Sequence, residues 1–112
     1  MLYNFIWPMD RITAFKQFLE TNPKDSMTRY SLAMEYANAG NADMAVEEFT
    51  RLIEINPDYT PAYHMAAQTL VREGKDDSAK KMLEDGIACA RRTGNLHAQR
   101  EMEGLLESID RI

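Results

Sequence analysis

The sequence predicts an all-α protein of stacked antiparallel helix pairs, and three observations predict it. Asn22-Pro23 recurs as Asn56-Pro57, 34 residues along (23 to 57). The residues between keep the same frame: Ala33 recurs as Ala67, Gly40 as Gly74 and Ala45 as Ala79, and Phe15, Phe49 and Leu83 fall on it too. Between these marks, apolar residues return at helical spacing. A fixed period of this length is the signature of a repeat array, in which each unit buries its apolar face against the next.

Each helix follows from local chemistry. Pro8 suits the first turn of a helix over 8–23 that carries Ile12, Phe15, Phe18 and Leu19. It ends at Asn22-Pro23, because the residue before a proline disfavours the α region. Asp25 or Ser26 caps a second helix with Tyr30, Leu32, Ala33, Tyr36 and Ala37, which stops at Gly40. A third runs from about Asp43 through Ala45, Val46, Phe49, Leu52 and Ile53 and ends before Pro57. Thr60-Pro61 reads as a cap and a first-turn proline for a fourth helix, which holds Tyr63, Ala66, Ala67 and Leu70 and stops at Gly74. Asp76 or Asp77 caps a fifth, with Ala79, Met82, Leu83 and Ile87.

Where a third Asn-Pro would fall, the chain reads Ala90-Arg91, so the fifth helix continues to about Arg92 and Gly94-Asn95 breaks it. A last helix with Leu96, Met102, Leu105, Leu106 and Ile109 leaves the frame. Arg100, Glu101, Glu103 and Glu107 give it the polar outer face that a terminal element needs. The predicted organisation is one domain over 1–112 with about six helices: an arm at 1–7, a half-unit at 8–23, units at 26–59 and 60–93, and a cap at 95–111.

Composition narrows the function. The 112 residues carry a formal charge of −5 and a pI near 5.0, without the basic stripe of a nucleic-acid binder. The apolar run from Met1 to Trp7 is too short to span a membrane and lacks the flanks of a signal peptide. It reads as an arm packed on the first helix, or as a dimerisation arm. Cys89 is the single cysteine, which excludes an internal disulfide and suits the cytoplasm. It repeats Ile55 in the frame and reads as buried. His64 and His97 are the only histidines, and no Cys/His cluster has metal spacing. His97 and Glu101, one turn apart, read as a helix-surface pair. No nucleophile stands beside a base and no glycine-rich phosphate loop is present, so no enzyme activity, cofactor or metal is expected. Gly104 weakens the last helix by about 1 kcal/mol against alanine unless it serves close packing.

Leu32-Ala33, Tyr36, Gly40, Ala45, Phe49 and Pro57 stand in the order and spacing of a tetratricopeptide repeat, and residues 26–59 resemble that family strongly. The match is weaker over 60–93. Ala67, Gly74 and Ala79 keep the pattern, whereas Ala66, Leu70, Gly86 and Arg91 replace a leucine, an aromatic, an alanine and the closing proline. The resemblance implies a right-handed superhelical α-solenoid whose first helices line a concave groove for a peptide or a partner's helix. Met27, Tyr30, Met34 and Asn38 of the first unit and His64, Gln68 and Arg72 of the second would line it, with Tyr30, His64 and Arg72 as principal contacts. Tyr30 and Met34 stand where a clamp for chaperone tails has lysine and asparagine. The expected partner is therefore a protein or peptide, with a homodimer through the arm or the stack end as the alternative. Ala33 and Ala45 are read as close helix-crossing points, so Ala45→Leu should destabilise by roughly 1–3 kcal/mol in a thermal melt.

Overall fold

The computed structural model describes residues 8–111. The arm at 1–7, and with it the arm-mediated dimer, lies outside the described residues. Six helices follow in order: α1 (Pro8–Thr21), α2 (Ser26–Asn38), α3 (Ala42–Ile55), α4 (Thr60–Arg72), α5 (Asp76–Thr93) and α6 (Leu96–Asp110). Each packs on the next, and α4 also touches α6. The radius of gyration is 15.1 Å, against about 13 Å for a compact domain of this size, as stacking in one direction requires.

The helix ends show local chemistry at work. Asp25 caps α2: its carboxylate accepts from the Thr28 N–H and hydroxyl, and these two bonds hold its pKa below the ordinary 3.8. The folded-state value is depressed, so the cap's contribution is present above the ordinary carboxylate range and fades as pH falls through the lowered value. Asp25→Ala is expected to lower the melting midpoint at pH 7 and to change it less at pH 2. Gly40, Gly74 and Gly94 close α2, α4 and α5 with φ of 82°, 75° and 72°, a backbone that favours glycine.

Three starts differ from the sequence reading. Helix α3 begins at Ala42, capped by Asn41 rather than near Asp43. Tyr59, not Thr60, holds the cap position of α4. Thr60 is already helical and donates from its hydroxyl to the Asp58 carbonyl, while Pro61, having no N–H to satisfy, removes much of the need for a cap. Lys75 precedes α5, so Asp76 and Asp77 fall in the first turn, where they complement the helix dipole instead of capping it.

Two apolar clusters form the core. Leu19, Leu32, Ala33, Tyr36, Ala45, Phe49, Leu52, Ala62 and Ala66 join α1 to α4. Tyr63, Ala67, Leu70, Ala79, Leu83, Ile87, Cys89, Ala90, Met102 and Ile109 join α4 to α6. Ile53 and Met82 pack against both, so the clusters are continuous along the stack. Ala33 and Ala45 are fully buried, so a larger side chain at either would have to displace core neighbours. The close-packing glycine is Gly86 rather than Gly104. A Cβ at Gly86 would lie 2.6 Å from both Tyr63 Cβ and Met102 Sδ, whereas one at Gly104 would meet nothing within 4 Å.

Candidate interaction face

The turns between units are fastened by a device that repeats with the period. Arg29 donates from Nη2 to the Pro23 carbonyl at 3.0 Å, and 34 residues on the Tyr63 hydroxyl donates to the Pro57 carbonyl at 2.7 Å. Cys89 Sγ and Arg92 Nη2 converge on the same Pro57 oxygen, at 3.3 and 3.4 Å. Arg92 also grips the Asp58 carboxylate through Nε and Nη2, at 3.2 and 2.8 Å. These bonds fix where α4 departs relative to α3 and so set the spacing of the face formed by α2, α4 and α6.

Behind that face, Arg29 makes a 2.7 Å ion pair with Glu48 of α3, both side chains under 10% exposed. The sequence reading missed this pair, although a signal exists. Arg29, Leu32, Ala33 and Tyr36 lie at i, i+3, i+4 and i+7, and Ala45, Glu48, Phe49 and Leu52 do so as well, so each charge sits on its helix's buried stripe.

The residues assigned to the face occupy different environments. Met27, in the first turn of α2, is 72% exposed. Tyr30 is half-buried, its ring edge-on to Phe49 at 5.8 Å and tilted against Tyr59 at 5.5 Å. Burial, and secondarily Tyr59, push the Tyr30 hydroxyl above its ordinary 10.0, so it stays a neutral donor at physiological pH. Tyr59 was not foreseen as part of this cluster, because it lies in a turn outside any helical period. Met34 and Met65 are half-buried over the first core cluster, and Asn38 is exposed. Arg72, exposed and in no ion pair among the described residues, borders a cleft of about 280 Å³ with Ala37, Gly40, Ala42, Thr69 and Glu73.

His64 and Gln68 are joined directly, with the Gln68 amide nitrogen 3.1 Å from His64 Nε2. His64 Nδ1 faces α6, 4.0 Å from Glu101, whose other oxygen lies 3.3 Å from His97 Nε2. Glu101 therefore reaches toward α4 while its side chain stays 49% exposed, and Glu103 pairs at the surface with Arg91 of α5 and with Gln99. Around His64, a cleft of about 210 Å³ is lined by Thr60, Pro61, Asn95, His97, Ala98 and Glu101. The structure thus brings Met27, Tyr30 and Met34 together on α2 and His64 and Gln68 on α4, and it sets Arg72 at the far end. Among the described residues no group of three or more His, Cys, Asp or Glu is placed to hold a metal ion. No described helix is long and apolar enough to cross a membrane.

Known proteins are similar to this chain in sequence and fold. A TPR repeat-containing protein of Pseudomonas aeruginosa is 27% identical over 100 residues, covering 89% of this chain and 95% of that one. The solution structure of a tetratricopeptide repeat domain protein from Salinibacter ruber superposes with a TM-score of 0.75 at 30% identity, over 80% of this chain and 91% of that one. The type III secretion translocator chaperone SycD of Yersinia enterocolitica reaches a TM-score of 0.82 over 92% of this chain and 72% of its own, but at 16% identity it shares the fold alone. The family model described as Tetratricopeptide repeat matches residues 36–100, more than half of the chain, and with these findings it shows that the chain belongs to the tetratricopeptide repeat family.

Proposed function

We propose that this chain is a non-catalytic cytoplasmic module that docks a peptide or a partner's helix on the α2–α4–α6 face, through Met27, Tyr30, Met34, Asn38, His64, Gln68 and Arg72. Its units are 26–59 and 60–93, with a half-unit at 8–23 before them and a cap at 95–111 after them. Repeats of this family generally mediate protein–protein interaction. The observation that carries the reading is the pairing of an exposed Met27 with an Arg72 that has no ion partner among the described residues. A face with an adaptable apolar end and a hydrogen-bonding end suits a segment that offers both kinds of group. Tyr30 would act as a rigid floor, since Phe49 and Tyr59 hold its ring. Pull-downs from the source cell with wild type and a Met27→Glu/Arg72→Glu variant test it. Both positions are exposed, so the variant should fold, and it should lose the partner that the wild type captures. Identical partner lists would remove the proposal.

One observation favours a second reading, self-association through the stack end. Phe18 of α1 is 48% exposed, and α1 is the first described helix of the stack. On this reading light scattering gives a dimer for wild type and a monomer for Phe18→Ser. A monomer for both excludes it.

A further inference from the structure

We infer that the cleft between α3 and α5 is a second docking site, for a protein segment that carries a large apolar side chain beside lysine or arginine. The cleft measures about 440 Å³, and its floor is Val46, Leu70 and Met82. Leu70 belongs to the second core cluster and the other two pack against it, so the core holds the floor in place. Apolar floor at a surface cleft favours an apolar side chain or the aliphatic stem of a long cation.

The rim decides the charge of the occupant. Every lysine around the cleft is already neutralised: Lys81 by Asp85 at 3.0 Å, Lys75 by Asp43 at 3.5 Å and Lys80 by Asp110 at 2.8 Å. Of the three charged residues that line the cleft, Lys81 and Asp85 pair with each other, and Asp77 forms no ion pair among the described residues. The border therefore carries uncompensated negative charge, which attracts a cationic segment and repels an acidic one. The site is particular to the second unit. In the repeat frame Met82 and Asp85 correspond to Glu48 and Arg51, so the matching place in the first unit has a buried carboxylate where this floor has a thioether. None of Met27, His64 and Arg72 lines this cleft, and the inference stands independently of the function proposed above.

The test is a titration of the full-length ¹⁵N-labelled chain with a synthetic hexapeptide of alternating leucine and arginine, and with its leucine–glutamate counterpart. Saturable amide shifts at Val46, Ser78 and Met82 are expected with the arginine peptide alone. Asp77→Asn/Asp85→Asn should weaken Kd about fivefold, the scale of exposed ion pairs, and Ser78→Arg should abolish the shifts. Either variant's own amide spectrum reports whether it is folded. An equal response to the glutamate peptide, an unchanged Kd in the double variant, or no saturable shift would overturn the inference. So would shifts confined to Met27, His64, Gln68 and Arg72, which would instead support the α2–α4–α6 face.

Discussion

Glu48→Ala is expected to cost about 3–5 kcal/mol in a denaturant titration, because it leaves the Arg29 charge buried with no carboxylate, and Arg29→Ala somewhat less, because Glu48 keeps a 4.0 Å contact to the exposed Arg51. The two atoms are 2.7 Å apart, and neither side chain is more than 9% exposed. Removing Arg29 also unties the Pro23 carbonyl, while the pair already carries a burden, since Arg29 Nε is buried with no hydrogen-bond partner. The second unit offers the replacement that should be tolerated. There the frame positions of Arg29 and Glu48 hold Tyr63 and Met82, and Tyr63 makes the same bond to its turn carbonyl. Arg29→Tyr/Glu48→Met should therefore lose far less than the two alanine variants summed, as a buried ion pair replaced by packed neutral groups often does. Additive losses would show that the pair contributes nothing as a pair.

Gly86→Ala is expected to destabilise by roughly 3 kcal/mol, although alanine is the better helix former. The new methyl would sit 2.6 Å from Tyr63 Cβ, which is tied to its backbone and cannot yield as a side-chain tip can. Tyr63 is further held by its bond to Pro57, so movement there would disturb the turn between units. Gly104→Ala is the control. It lies exposed in α6 with open space beyond it, and should stabilise by about 0.5–1 kcal/mol through propensity alone. Opposite signs in paired thermal melts are the expected outcome. Stabilisation by both would mean that α5 packs less closely on α4 and α6 than the structure has it.

The repeat was legible because its marks are backbone marks. Gly40 and Gly74 must adopt positive φ, and the residue before Pro23 or Pro57 must leave the helix, so spacing alone located the turns. Cys89 was legible as a buried residue because it takes an isoleucine's place in the frame. The caps of α4 and α5 were not, because neither helix uses a side-chain cap. The Arg29–Glu48 pair was half legible. The buried stripes show that each charge is enclosed, but their 19-residue separation reveals no partnership. The direction of Glu101 was hidden, because the docking of α6 on α4 follows no period. Tyr30 was assigned to the face by the period, which could not show that Phe49 and Tyr59 already hold half of its ring.

The central claim is that the α2–α4–α6 face engages a partner. Its most direct test is to add the partner captured by the wild-type chain, as a purified segment, to the full-length ¹⁵N-labelled protein and to map the amide shifts. Saturable shifts are expected at Met27, Met34, His64, Gln68 and Arg72, lost in the Met27→Glu/Arg72→Glu variant. Shifts confined to α1, or to the outer surfaces of α3 and α5, with full binding retained by that variant, would contradict it.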